Sequence, residues 1–207
     1  MTDNLSAWAE YFELTKLGNP HETTIKAIEL FSQEPASGTR LAVDLGCGMG
    51  RDTFELLSKG WKVLATDKEQ AALNWINAQK IPEREQLQTR QLGFEKLDLS
   101  DLNPDLINAS YTLPFCPPKY FKSMWNEVES SLARGGRFSG HFFGDNDEWA
   151  KSPRQIEGST IHHNAQEIQN LFSGFHFDYF LEEDYDGSIA SGEPKHWHLF
   201  HIVAKKL

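Results

Sequence analysis

Cysteine is scarce: Cys47 and Cys116 are the only two in 207 residues. That excludes a disulfide framework and points to a reducing, cytoplasmic setting. Also lacking is any apolar run near the roughly 20 residues of a membrane-spanning helix, so no membrane partner is expected. Positive charge is the minority sign, with 20 Lys+Arg against 30 Asp+Glu for a net charge of −10. The basic residues form no stripe that could track a phosphate backbone, so nucleic acid is not an expected partner. The opening Met1-Thr2-Asp3-Asn4 has neither the basic nor the apolar stretch of a signal peptide, which leads us to expect an unprocessed soluble chain. Nothing repeats and no segment is of low complexity. What remains is an ordinary globular composition, 39% hydrophobic and 24% charged, on a length that buries a core without cross-links.

Apolar periodicity divides the chain. Residues 6–17 and 21–33 read as helices separated by Gly18-Asn19-Pro20, and 1–38 is expected to form a helical lid over a domain spanning 39–207. From residue 40 the apolar runs 41–45 and 61–66, a weaker strand over 87–91 and further strands over 106–111 and 137–143 alternate with helical segments (51–58, 68–80 and 119–132). Such alternation implies right-handed βαβ units in a mainly parallel sheet. The end breaks the rhythm. A helix over 164–172 precedes two alternating strands around Phe175–Leu181 and Trp197–Val203, joined only by 184–194. A loop that short makes an antiparallel hairpin. The acidic run Glu182-Glu183-Asp184-Tyr185-Asp186 reads as a solvated turn. The expected fold is therefore α/β, doubly wound and Rossmann-like, with one reversed strand near the edge.

Val43-Asp44-Leu45-Gly46-Cys47-Gly48-Met49-Gly50 follows the first strand and opens a helix. Glycines there let the backbone approach a ligand with no Cβ in the way. A dinucleotide loop has G-x-G-x-x-G, but here Arg51 stands at the third glycine position. Asp44, at the end of the strand, would repel a pyrophosphate and attract an ammonium group. Both departures point away from NAD and from an oxidoreductase.

Residues 43–52 resemble the first motif of class I S-adenosylmethionine-dependent methyltransferases, D-L-G-C-G-x-G. Gly50-Arg51-Asp52-Thr53, Leu56-Leu57 and Gly60-Trp61-Lys62-Val63 resemble the small-molecule branch that contains thiopurine and tellurite methyltransferases. The resemblance implies a seven-stranded sheet with an antiparallel last strand, and S-adenosylmethionine as cofactor. It further implies that Asp44 faces the methionine end and that Gly46, Cys47, Gly48 and Gly50 line the cofactor, with Arg51 beside them. Asp67, which ends the second strand, would accept the ribose hydroxyls next to Lys68; the competing reading of Asp67 is a helix cap. Phe94 and Glu95 would hold adenine, and Ala109 and Ser110 would lie beneath the sulfonium. Family members that methylate amides or adenine carry N/D-P-P-Y at that place; Asn108-Ala109-Ser110-Tyr111 removes support for such targets.

Ligands of an open α/β sheet sit beyond the C-terminal ends of its parallel strands. That rim should hold residues 110–115, 144–149 and 182–186, together with the start of the reversed strand at 195–198. Tyr111, Phe115, Trp149 and Trp197, with Tyr11 from the lid, are the expected substrate-side residues. His196 and His198 are the candidate catalytic bases for an oxygen or nitrogen acceptor. A thiol, selenide or tellurite acceptor needs none, and the sequence leans toward that case. Eight histidines without H-E-x-x-H or Cys/His zinc spacing leave no metal site to expect. Cys47 reads as a small packed residue, and Cys116 has no evident activating partner. The expectation is thus a monomeric or homodimeric enzyme that methylates a small molecule, with a catalytically idle cofactor-binding module as the alternative.

Overall fold

Short apolar runs closed by small or polar residues form the parallel part of a sheet. In a computed structural model, which describes residues 7–16, 18–35, 38–151 and 160–207, these strands are β1 (Leu41–Leu45), β2 (Lys62–Asp67), β3 (Leu87–Gln91), β4 (Leu106–Ala109) and β5 (Arg137–Gly144). β4 and β5 are buried along their whole length, as parallel strands covered on both faces must be. Helices α1 (Ala7–Thr15) and α2 (Glu22–Ser32) precede the sheet. Within it α3 (Arg51–Ser58), α4 (Gln70–Ala78) and α5 (Pro118–Ser131) make the crossovers, and α6 (Glu148–Lys151) and α7 (Ala165–Leu171) follow β5. Ser6 and Leu17, the expected ends of the first helix, lie outside the described residues, as do residues 1–5 and 36–37 of the expected lid.

The strand order is β3-β2-β1-β4-β5-β8-β7, where β7 is Phe175–Ser188 and β8 is Pro194–Lys206. β8 runs antiparallel to both β5 and β7. A two-residue β6 (His162–His163) adds an eighth, short strand beside the end of β5. The order reverses between β1 and β4, so the binding crevice opens at their C-terminal ends.

The hairpin differs from the expected loop. Both strands extend through the acidic run, and only 189–193 turns the chain. Cross-strand charge is the reason: Asp184 faces His198 and Asp186 faces His196, and both carboxylates reach the His196 ring. The run is strand, not solvated turn.

The two faces of the sheet bury different cores. Trp125, Phe138, Phe142, Phe172 and Phe200 fill the side beneath α5 and α7. Ala27, Phe31, Leu56, Leu57 and Ile76 fill the side beneath α2, α3 and α4. α2 is therefore part of a packed layer. On this second side the strand positions that periodicity assigns to the core turn polar toward the crevice: Asp44, Asn108, Ser139 and His141 are all buried. A polar cluster at core positions of a sheet marks a functional or strained site.

Far from the crevice, Arg137 at the start of β5 ties the layers together. Its guanidinium donates to Glu34 beyond α2 (2.8 and 3.1 Å) and to Asp178 on β7 (2.8 Å). Lys205 also donates to Glu34 (2.8 Å). These hydrogen bonds hold the Glu34 carboxyl down at about 2, below its usual 4.5. A carboxyl depressed in the folded state stabilises the protein above its unfolded pKa, and that contribution is lost as pH falls toward the folded one. Urea midpoints should therefore drop between pH 5 and pH 2, and the drop should be shallower in Glu34→Gln. Equal slopes for the two proteins would remove Glu34 from the acid response.

Candidate active site

The loop after β1 makes the first wall. Gly48 has φ +50°, and a Cβ there would project into open cavity, meeting only Phe12 at 3.6 Å. The other two glycines face protein: a Cβ at Gly46 would strike Thr112, and one at Gly50 would strike Ile76 and Phe54. Behind the loop, Asp67 at the end of β2 accepts the Gly48 N–H and the Glu69 N–H, each at 2.9 Å, one on each carboxylate oxygen. Asp67 is thus not the cap of α4, whose N-cap position is Glu69. Burial pushes its pKa up, while the two backbone bonds oppose the rise.

Asp44 lies under the loop with both oxygens engaged, by Thr53 (2.5 Å) and Asn108 (2.9 Å). Burial first, then the nearby Asp52 carboxylate, raise its pKa. A buried carboxylate with no cation beside it is costly. Placed here, it favours a ligand that brings a positive charge.

These groups border a cavity of about 220 Å³. Of the expected cofactor residues, Asp44, Gly46, Cys47, Gly48, Arg51, Asp67, Lys68, Phe94, Glu95 and Ser110 are on its walls. Gly50 and Ala109 are not. Gly50 is the left-handed N-cap of α3, and Ala109 points to the opposite face of β4 because side chains alternate along a strand.

A second cavity of about 430 Å³ adjoins the first and shares Trp8, Tyr11, His21, Arg51, Tyr111 and Phe115 with it. Tyr11, Tyr111, Phe115, Trp149 and Trp197, expected on the substrate side, all stand on its walls, and the hairpin turn at Ile189–Ser191 closes it. Its back wall is braced. The Lys195 ammonium sits 3.6 Å from the Trp197 ring centre and 4.4 Å from that of Trp149, and it is paired with buried Asp147.

His196 and His198 line neither cavity, contrary to the reading that put them at the mouth. With Trp197 and Leu199 on the cavity wall, the two-residue period sends both histidines to the other face. His196 is half-buried between Asp184 (2.6 Å) and Asp186 (2.7 Å), and His198 is buried against Glu182 (3.0 Å).

Sequence reasoning missed the group the structure places between the cavities. His21, in the turn before α2, donates its backbone N–H to Asp52 Oδ1 (2.7 Å), and its Nδ1 lies 2.8 Å from Oδ2. Asn108 also reaches Asp52 (3.2 Å), and Thr24 and Ser139 donate to the Asn108 amide oxygen (3.0 and 2.7 Å). His141 accepts the Tyr111 N–H (3.4 Å) and is kept neutral by burial. The available signal was parity. Asp44, Asn108, Ser139 and His141 all fall at strand positions where an apolar residue belongs.

A switch-point crevice with a glycine loop under it, an acidic residue ending β2 and one reversed strand is the class I S-adenosylmethionine-dependent methyltransferase architecture. Residues 43–138 match a family model described as a methyltransferase domain. The fold is that of class I methyltransferases, and the segment 43–138 carries the methyltransferase-domain match. No curated protein matches it. Among solved structures it is similar to TehB from Haemophilus influenzae, at TM-score 0.68 and 18% identity, over 90% of this chain and 62% of that one. The chain thus spans less than two thirds of that relative. It is also similar to a TehB-like S-adenosylmethionine-dependent methyltransferase from Corynebacterium glutamicum (TM-score 0.62, 16% identity, 96% and 95% covered). A third is 1,6-didemethyltoxoflavin-N1-methyltransferase from Burkholderia thailandensis, solved with bound 1,6-didemethyltoxoflavin and S-adenosylhomocysteine (TM-score 0.65, 15% identity, 96% and 81% covered).

Proposed function

We propose that this protein transfers a methyl group from S-adenosylmethionine to a small-molecule acceptor held in the larger cavity. The observation that carries the reading is the pair of cavities with common walls, one built on the glycine loop and one lined by aromatic rings. The residues fit the cofactor. Gly48 leaves room only a missing Cβ allows, Asp67 keeps one lone-pair direction free on each oxygen for a ribose diol, and Asp44 supplies negative charge for the amino-acid end. Phe94 and Glu95 offer a flat apolar surface beside an acceptor for the adenine amino group. Bound S-adenosylmethionine supplies a methyl carbon made electrophilic by the sulfonium, the C–S electron pair leaving on the neutral thioether.

The chain's task is then alignment and exclusion of water. Trp8, Tyr11 and Phe12 on α1 cover the loop side, so α1 serves as the lid. The aromatic chamber is of the size that holds a molecule of one or two rings. A nicotinamide dinucleotide is disfavoured by Arg51, which donates to the Asn19 carbonyl (2.5 Å) where a third glycine would lie. Calorimetry should give micromolar binding of S-adenosylhomocysteine and no heat with NADH, and a screen coupled to homocysteine release should find an acceptor. Binding of NADH alone would reverse the assignment, and S-adenosylhomocysteine binding with no turnover would leave an idle cofactor module.

A further inference from the structure

We propose that His21, oriented by Asp52, is the general base of the transfer, and that the acceptor is a planar aromatic molecule with an N–H or O–H nucleophile. The inference rests on the methyltransferase reading and goes further by naming the base and the acceptor class.

His21 is on the wall of both cavities. Asp52 accepts from its backbone N–H and lies against its ring Nδ1, so the one carboxylate fixes both the main chain of His21 and the direction of its imidazole. A carboxylate oxygen only accepts, which assigns the ring proton to Nδ1 and leaves the lone pair on Nε2. Asp52 is itself almost fully buried. Burial alone would raise its pKa, but the His21 ring and backbone bonds hold it far below the usual range. The pair therefore has the base-and-orienter geometry of acid–base enzymes.

The other ionisable groups common to both cavities do not compete. Arg51 stays protonated. Burial pushes the Tyr11 and Tyr111 hydroxyls upward, so at neutral pH they are donors. Tyr111 also bears a φ of +50°, rare for an aromatic residue, and it stacks on His141 with ring centres 4.1 Å apart. That strained conformation sets its ring beside the His21 ring, 5.2 Å between centres, on the wall of the aromatic cavity in which a flat acceptor would lie. A thiolate acceptor arrives ionised and needs no such pair. The geometry thus argues against the soft acceptor toward which the sequence leans.

The step balances. As the acceptor lone pair forms the new bond to carbon and the C–S bond breaks with its electron pair on sulfur, the N–H or O–H proton passes to His21 Nε2. Asp52 stabilises the imidazolium, which releases the proton to water after the products leave. Asp52 stays ionised throughout.

The test uses the full chain with S-adenosylmethionine and a panel of phenols, N–H heteroaromatics and arylthiols, read by homocysteine release. His21→Gln keeps a donor for Asp52 but has no basic lone pair. It should lower kcat on the phenol or N–H members 10²–10⁴-fold while S-adenosylhomocysteine affinity changes less than threefold. The wild-type acid limb in kcat against pH should vanish with it. The other groups around His21 are Asp52 and Arg51 on α3, Tyr11 on α1, Glu22 on α2, Asp44 on β1, Tyr111 after β4, His141 on β5 and His201 on β8, the last paired with Glu183 on β7. Nitrogen NMR of the ring gives a readout without turnover: the neutral form should carry its proton on Nδ1, and Asp52→Asn should weaken that preference. An Nε2-protonated neutral ring overturns the proposal with no acceptor in hand. So does an arylthiol preference that survives His21→Gln within tenfold. Failure of wild type to bind S-adenosylhomocysteine instead removes the methyltransferase reading itself. Binding with no turnover of any panel member removes the enzymatic reading, and the base with it.

Discussion

Gly48→Val should reduce S-adenosylhomocysteine affinity by at least a hundredfold while the protein stays folded. Gly48 sits at φ +50°, its N–H is committed to Asp67, and its α-carbon faces the smaller cavity. A valine there fills the space beneath Phe12 that a ligand would occupy. It also carries a backbone penalty of about 1–2 kcal/mol, more for a β-branched residue, against a domain stability on the order of 5–15 kcal/mol. Strain and blockage can be separated with Gly60→Val. Gly60 has a similar left-handed φ, +80°, but open space where the Cβ would go. The two variants should lose comparable melting temperature, and only Gly48→Val should lose binding. Calorimetry that finds ligand affinity intact in Gly48→Val would place the cofactor elsewhere.

The parts of this molecule legible in the sequence are those governed by local periodicity. β1 and β3 fall at the expected residues because a strand bounded by turn formers declares its own ends. The reversed β8 is legible because no helix fits within 184–194, the segment that separates the last two strand patterns. Parity along β8 is legible too, and it rules out the pairing of Trp197 with His196 and His198 in one site. Trp197 and His198 cannot both face the same cavity, and the aromatic ring won that face. Ala109 was lost for the same reason on β4. The His21–Asp52 pair lay beyond reach on different grounds. Its partners are 31 residues apart, brought together by how the turn at 18–21 folds over the start of α3, and no period encodes that contact. The outcome fits the rule that local sequence logic fails where function is built. Asp44, Asn108 and His141 break the apolar pattern of their strands: Asn108 bridges Asp44 and Asp52, and His141 accepts the Tyr111 N–H.

Asp67→Ala should weaken S-adenosylhomocysteine binding by about 1.5–3 kcal/mol, roughly 10- to 150-fold, the usual cost of removing a charged hydrogen-bonding partner. Two effects contribute, and the structure shows why they must be separated. One oxygen of Asp67 holds the Gly48 N–H and the other holds the Glu69 N–H, so the alanine variant frees the loop as well as removing a ligand contact. Asp67→Asn does not resolve this, because its amide NH₂ would face one of those donors. A cycle that pairs the alanine variant with 2′-deoxy S-adenosylhomocysteine does. If the carboxylate accepts from the ribose, the deoxy ligand should bind wild type at least tenfold more weakly, yet bind Asp67→Ala almost as well as the parent ligand does. Coupling of about 1 kcal/mol or more then measures the direct contact, and whatever loss remains in the variant measures the loop. A deoxy penalty of the same size in both proteins would mean that Asp67 only shapes the turn around Gly48 and that the ribose is held by another group.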